Sequence, residues 1–152
     1  MSNSTLEQNE LLSKQLQNLF KAQNTRNELY QEFEIAFKDY LSEKCPAEQY
    51  HSICRIVTEG FQDVSMEIQN IERDISNKVI ARMIRDLQET ERKKLQETVQ
   101  IQILTIQAKE TDKDYDETIN QHQQRLKEVV EKIQEIMDEL REEMVGLASL
   151  VC

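Results

Sequence analysis

One stretch of the sequence, from Pro46 to about Lys109, limits what this chain can fold into. It contains no proline after Pro46 and a single glycine, Gly60, and apolar residues return every three or four positions along it. This spacing is typical of amphipathic helices and predicts one long helix or two helices nearly end to end. The flanking segments carry similar apolar stripes, and we expect both to bury them against this stretch.

The composition favours an all-α protein. Two glycines and one proline in 152 residues are too few for the turns of a sandwich, a barrel or a doubly wound sheet. Hydrophobic residues make up 38% and charged residues 32%, which suits long helices with a narrow buried seam. The sequence therefore predicts an elongated, antiparallel, coiled-coil-like bundle of three main helices, the middle one long or broken near Asn77.

Short polar signals mark where the helices begin. Ser4 starts a capping box for the first helix, Pro46 suits the first position of the middle one, and Asp114 is a good N-cap for the last. We expect the first helix to pack on residues 48–76 and the last on residues 79–109. A sharp fold at the junction, giving a compact bundle, is the alternative.

Three residues stand out against the helical pattern. Gly60 lies in the middle of a helix, so we expect the first helix to approach the backbone closely there. Gln23 and Arg26 interrupt the apolar seam of the first helix, which indicates that the seam is wet at this point or that the pair fixes its register. We divide the chain into a polar tail, one helical domain and an apolar C-terminal tail: 1–4, 5–145 and 146–152.

The net charge, the apolar runs and the cysteines indicate which partners and which cellular compartment suit this chain. The net charge of −10 gives an overall field that does not steer the chain to nucleic acid. No run of apolar residues is long enough for a membrane span, and the N-terminus lacks the features of a secretory signal. Cys45, Cys54 and Cys152 are an odd set without framework spacing, which favours reduced thiols in a nuclear or cytoplasmic protein.

No constellation of catalytic, cofactor-binding or metal-binding residues emerges. His51 and Cys54 lie one helical turn apart with Cys45 nearby, but a metal site needs three or four converging ligands, and only the remote His122 would add one. Walker, GxGxxG and HExxH motifs do not occur in the sequence. We therefore expect a protein without enzymatic activity, cofactor or metal.

The main candidate site is a basic cluster between Arg73 and Lys94, with seven basic and four acidic residues. A basic helical stripe contacts phosphates, or it pairs with acidic groups of a partner protein or of the chain's own acidic last helix. We favour pairing within the chain or with a partner protein. Nucleic acid, which the net charge disfavours, and an ordinary solvated face are the alternatives. The candidate contact residues are Lys78, Arg82, Arg85, Arg92, Lys93 and Lys94.

The end of the chain, GLASLVC, is a second candidate. It is apolar, and Gly146 is placed to end the last regular turns of the helix. We expect this tail to dock on a partner or on a second copy of the chain. The candidate docking residues are Leu147, Leu150 and Val151.

Three stretches together resemble a known family. They are LFKAQNTRNELYQEFEIAFKDYL (19–41), YHSICRIVTEGFQDVSMEIQNIE (50–72) and IRDLQETERKKLQETVQIQILTIQA (84–108), followed by a last helix that ends IMDELREEM (136–144). In combination they resemble the "required for excision 1-B" domain family of small helical proteins, over about residues 12–145. The resemblance implies a link to DNA repair and no enzymatic activity.

The leading hypothesis is a helical adaptor or scaffold subunit of a larger protein assembly, with DNA repair as the process that the resemblance implies. A cytoskeletal or ciliary coiled-coil component is the first alternative, since an acidic helical rod suits such lattices. Direct nucleic-acid binding through the basic stripe is the second. Self-association of the chain is compatible with each of them.

Overall fold

A computed structural model describes residues 3–151 of the chain, and the side chains of residues 4–150. Within this range the chain forms four helices: α1 (Asn3–Leu41), α2 (Ala47–Asp74), α3 (Lys78–Thr111) and α4 (Asp116–Val151). The all-α class is confirmed. The predicted count of three main helices is wrong, because the stretch after Pro46 forms two helices. Met1, Ser2, Cys152 and the side chain of Val151 lie outside the described part.

The break between α2 and α3 has a local cause. Ile75 is extended, with φ −77° and ψ 124°, and its side chain is buried. Two residues later, the Asn77 side-chain oxygen accepts hydrogen bonds from the backbone N–H groups of Val79 and Ile80, at 3.0 and 3.1 Å. An asparagine in this position caps the new helix. The apolar repeat of the sequence changes phase near Asn77, and the break predicted there as one alternative is a true interruption of the helix.

Helices α1 and α2 form an antiparallel hairpin. Near the turn, the rings of Tyr40 and Tyr50 stack with their centroids 4.7 Å apart. At the other end, the Gln15 side-chain amide donates to the backbone oxygen of Asp74 over 3.2 Å. Early residues of α1 therefore meet late residues of α2, as the short connection between them requires.

The two helices of the hairpin approach each other closely at Gly60. A Cβ atom at this position would lie 2.8 Å from Cδ2 of Leu29, well inside van der Waals distance. One residue further along both helices, the rings of Tyr30 and Phe61 meet with centroids 4.6 Å apart. The expected close approach of the first helix at Gly60 is confirmed, and Leu29 is the side chain that uses the space.

Two helices end without glycine. Glu43, just after α1, has φ 63°, and Asp112, just after α3, has φ 56°. The Lys44 N–H donates to the Asp39 oxygen over 2.9 Å, which closes the last turn of α1 as in a Schellman motif. Pro46 then sits at the N-cap of α2, so α2 begins at Ala47, one residue later than the predicted start at Pro46.

The described residues form two compact units. The first unit contains the residues up to Arg85 together with those from Glu139 onward, and the second is Asp86–Asp138. In the first unit, Arg26 and Gln23 are both buried, and the guanidinium donates to the Gln23 side-chain oxygen over 3.0 Å. A wet seam is therefore wrong for this position, since the two polar residues lie in the interior. Its apolar interior includes Leu16, Leu19, Val57, Phe61, Val64, Ile68, Ile80, Ile84, Leu140 and Leu147.

The second unit has a more polar interior. Thr90, Glu91 and Gln102 are buried in it. The buried apolar residues of this unit are Leu87, Ile133, Ile136 and Met137. Its two helical segments, from α3 and α4, are joined by the ionic contacts described below.

Candidate interaction surfaces

The first turns of α3 carry half of the predicted basic contacts. Arg85 is bound by Glu72 of α2, whose carboxylate oxygen accepts from Nε at 3.2 Å and from Nη2 at 3.0 Å. The Glu72 side chain is only 16% exposed, so this arginine has a structural partner. Lys78 and Arg82 are exposed and form no ion pair with any residue in the described range. These two cations remain available for an external anion.

The other three predicted basic contacts lie in the second unit. Arg92 pairs with Glu89, one turn earlier on the same helix, at 3.6 Å. Lys93 is exposed without an ion pair among residues 3–151, and Lys94 is half-buried. The six residues therefore differ in availability, and of the three in this unit Lys93 alone is both exposed and without an ion pair among residues 3–151.

The C-terminal residues form the end of α4. The helix continues through Gly146 to Val151, so it does not stop at the glycine. Leu147 is buried in the interior of the first unit, whereas Leu150 is 53% exposed. Of the predicted docking residues with described side chains, Leu150 alone is at the surface.

A surface that sequence reasoning missed lies on the side of α2 that faces away from the core. We call Ile56, Glu59, Asp63, Met66 and Glu67 the outer face of α2. At 3.6 residues per turn they fall within about 100° of the helix circumference. Ile56 is 64% exposed and Met66 61% exposed, and the three carboxylates are exposed as well. The sequence contained a signal for this surface. Ile56 and Met66 lie outside the buried apolar positions of α2, and acidic residues recur at every fourth position beside them.

The second unit contains a cluster of polar side chains around Glu97 of α3. One carboxylate oxygen of Glu97 lies 2.5 Å from Nδ1 of His122, and the other lies 3.7 Å from Nη1 of Arg125, both on α4. The Glu97 and His122 side chains are each about five-sixths buried. This cluster links the two helical segments.

Near the α1–α2 turn, burial lowers the reactivity of the Cys54 thiol. Burial raises the pKa of the Tyr50 hydroxyl well above its ordinary value, and the neighbouring Cys54 adds to this. Burial also raises the pKa of the Cys54 thiol. A thiol with a raised pKa holds less of the nucleophilic thiolate at neutral pH.

Among residues 3–151, no three His, Cys, Asp or Glu side chains are grouped so as to hold a metal ion. No helix there has both the length and the apolar character needed to cross a membrane.

Comparison with known proteins places the chain in a family. Over 88 residues it is 38% identical to the heterochromatin silencing protein rss1 of Schizosaccharomyces pombe, and the aligned part covers 58% of this chain. It spans 66% of the yeast protein, just under two thirds. The family described as DNA repair REX1-B matches residues 14–105, more than half of the chain. The chain therefore belongs to the DNA repair REX1-B family.

Proposed function

We propose that this chain is a non-enzymatic adaptor that binds partner proteins in a nuclear assembly for DNA repair or chromatin silencing. The match to the DNA repair REX1-B family supports a role in DNA repair, and the similarity to the yeast silencing protein supports a role in chromatin silencing. The alignment covers only part of the yeast protein. A role of this chain in chromatin silencing is therefore part of the proposal.

The outer face of α2 is the observation that carries the adaptor role. Scattered apolar residues are normal on a protein surface, but Ile56 and Met66 share one face of one helix and are each more than half exposed. This face lies within the family-matched residues 14–105. A helix face that combines large apolar side chains with polar neighbours is typical of protein–protein contact sites.

The test is to purify the tagged full-length chain from matched nuclear and cytoplasmic extracts and to identify stoichiometric partners. We expect subunits of repair or silencing assemblies with the wild type. We expect their loss with Ile56→Ser combined with Met66→Ser. Ile35→Ser is the matched control, because Ile35 is also about three-fifths exposed but lies on α1. Tubulin-associated or other cytoskeletal and ciliary proteins in place of these subunits would overturn the proposal.

Direct nucleic-acid binding is the second candidate, and the two unpaired cations at the start of α3 favour it. Lys78 and Arg82 lie one turn apart, and such cations neutralise phosphates with a marked salt dependence. Combining Lys78→Glu with Arg82→Glu should abolish a low-salt gel shift. Lys21→Glu with Lys44→Glu makes the same charge change at exposed positions and should leave the shift in place. No shift of the wild type at low salt would end this candidate.

A further inference from the structure

We infer that the outer face of α2 binds a basic helical segment of a partner protein, with lysines or arginines along one side and apolar side chains beside them. The inference rests on the proposed adaptor function and adds the chemistry of the partner. Its basis is the charge pattern, the apolar pattern and the rigid support of this face.

The charge pattern is a column of three carboxylates. Glu59, Asp63 and Glu67 follow one another at every fourth residue, about 6 Å apart along the helix. All three are exposed, and none makes an ion pair with another residue of the described range. Like charges at this spacing destabilise a helix. A column of cations from a partner would turn that repulsion into attraction.

The apolar pattern fixes the kind of segment that fits. Ile56 and Met66 lie ten residues apart, or about 15 Å along the axis, and bracket the middle of the carboxylate column. A partner helix with lysines or arginines at every fourth position has the same repeat along its own axis. Apolar residues at the flanks of such a helix meet Ile56 and Met66, and the flexible thioether of Met66 adapts to their shape.

The core side of α2 holds this face in place. Gly60, at the middle of the segment, receives Leu29 of α1 in close contact, and the next residue, Phe61, packs against Tyr30. A surface supported by such packing is ordered before the partner arrives, which lowers the entropic cost of binding.

The charge of the molecule favours a basic occupant over an acidic one. The net charge of −10 steers basic partners toward the chain and repels acidic ones, including nucleic acid. The corresponding surface of α1 differs in this respect. Ile35 is exposed there, but the nearby Glu34 carboxylate is paired with Lys38 at 3.0 Å. The unpaired carboxylate column makes α2 the more specific site.

The experiment measures binding of a designed peptide to the full-length chain by isothermal titration calorimetry at about 0.15 M salt. The probe is a helical peptide of about 20 residues, with lysines at every fourth position and leucines beside them. We expect one peptide per chain with affinity in the micromolar range. Asp63→Lys or Met66→Ser should weaken it about tenfold or more, and Ile35→Ser should leave it within about twofold.

Several outcomes would overturn the inference. A scrambled peptide of the same composition that binds equally well would show attraction to charge without a site. Equal binding by the α2 variants, or binding of a glutamate-substituted peptide, would also exclude it. Concentration-dependent dimerisation of the free chain that Asp63→Lys abolishes would show that a second copy occupies the face.

The result separates this inference from the proposed function. If the extract experiment recovers repair or silencing subunits through Ile56 and Met66 but the basic peptide does not bind, the adaptor function stands and the basic partner is wrong. If the peptide binds as expected but the extracts yield only cytoskeletal proteins, the partner chemistry stands and the proposed process is wrong.

Discussion

The interiors of the two compact units differ in kind. In the first unit, aliphatic and aromatic side chains fill the interior, and Gln23 with Arg26 are its buried polar exceptions. In the second unit, Thr90, Glu91 and Gln102 make up a large share of the buried residues. The α1–α2 hairpin is thus stabilised mainly by apolar burial, whereas the second unit depends more on specific polar contacts.

This difference has thermodynamic consequences. Apolar burial does not depend on the pairing of particular polar groups, while a buried polar network is stable only when the hydrogen-bonding groups of its members are satisfied. Single substitutions in the second unit should therefore lower stability locally through the loss of polar contacts. Substitutions in the first unit should lower stability through the loss of apolar packing.

The largest effect is expected for Phe61→Ala in the α1–α2 hairpin. The change removes a buried ring that contacts Tyr30, and loss of a buried phenylalanine costs about 3–5 kcal/mol of unfolding free energy. Urea denaturation followed by circular dichroism measures it. Ile56→Ala, on the exposed side of the same helix, should change the stability by less than about 0.5 kcal/mol. Equal losses for the two variants would remove the distinction between core and outer face.

A smaller effect is expected for Glu97→Gln in the second unit. The substitution keeps the shape but removes the charge that binds His122 and Arg125, at a cost of about 1–2 kcal/mol. Hydrogen exchange should rise in residues 86–138 and stay unchanged in α1 and α2. The exposed Glu128→Gln, on α4, is the control. Faster exchange throughout the chain would contradict the contrast between the two units.

The cap of α3 should contribute about 1 kcal/mol. Asn77→Ala removes the acceptor for the N–H groups of Val79 and Ile80. Asn77→Ser keeps a capping oxygen and should retain most of the stability, as measured by thermal unfolding. If both variants behave alike, the break between α2 and α3 is fixed by the buried Ile75 rather than by the cap.

The smallest effect at neutral pH is expected for Tyr50→Phe, and it should grow at alkaline pH. Burial raises the pKa of the Tyr50 hydroxyl in the folded chain, so its stabilising contribution is complete below the ordinary tyrosine pKa of about 10 and is lost as the pH rises above it. The raised pKa of Cys54 acts in the same direction. Wild-type stability should therefore begin to fall at about pH 9 and continue to fall as the pH rises further.

Tyr50→Phe should flatten that alkaline decline in urea titrations at a series of pH values. Tyr115→Phe, in the connection between α3 and α4, is the control and should keep the wild-type slope. An unchanged slope for Tyr50→Phe would show that the alkaline loss arises elsewhere in the chain.

Much of the fold was readable from the sequence because it depends on local patterns. The apolar period predicted helices throughout, the phase slip marked Asn77, and the isolated Gly60 predicted a close approach that Leu29 makes. The number of helices was not readable, because the choice between a bend and a break depends on the cap at Asn77 and on the burial of Ile75. The ends at Glu43 and Asp112 carried no glycine signal and use positive φ values at ordinary residues.

The candidate sites were less predictable than the helices. The basic residues were found by their charge, but their availability depends on tertiary partners, as the pairing of Arg85 with Glu72 shows. The outer face of α2 was overlooked since its apolar residues fall outside the main seam. Which side of a helix remains exposed is decided by the neighbours that cover the other side, and the periodicity of one segment does not contain that information.

The space above Gly60, which Leu29 occupies, has a further consequence for how α1 and α2 pair as the chain folds. Only one alignment of α1 with α2 lets Leu29 enter the space above Gly60 while Tyr30 meets Phe61 and Tyr40 meets Tyr50. An alignment shifted by one turn would set Leu29 against residues with a Cβ. Because the two helices are joined by a short turn, they find each other rapidly. Shifted pairings lose these contacts, so the close fit of Leu29 at Gly60 selects one register of the α1–α2 pair as the chain folds.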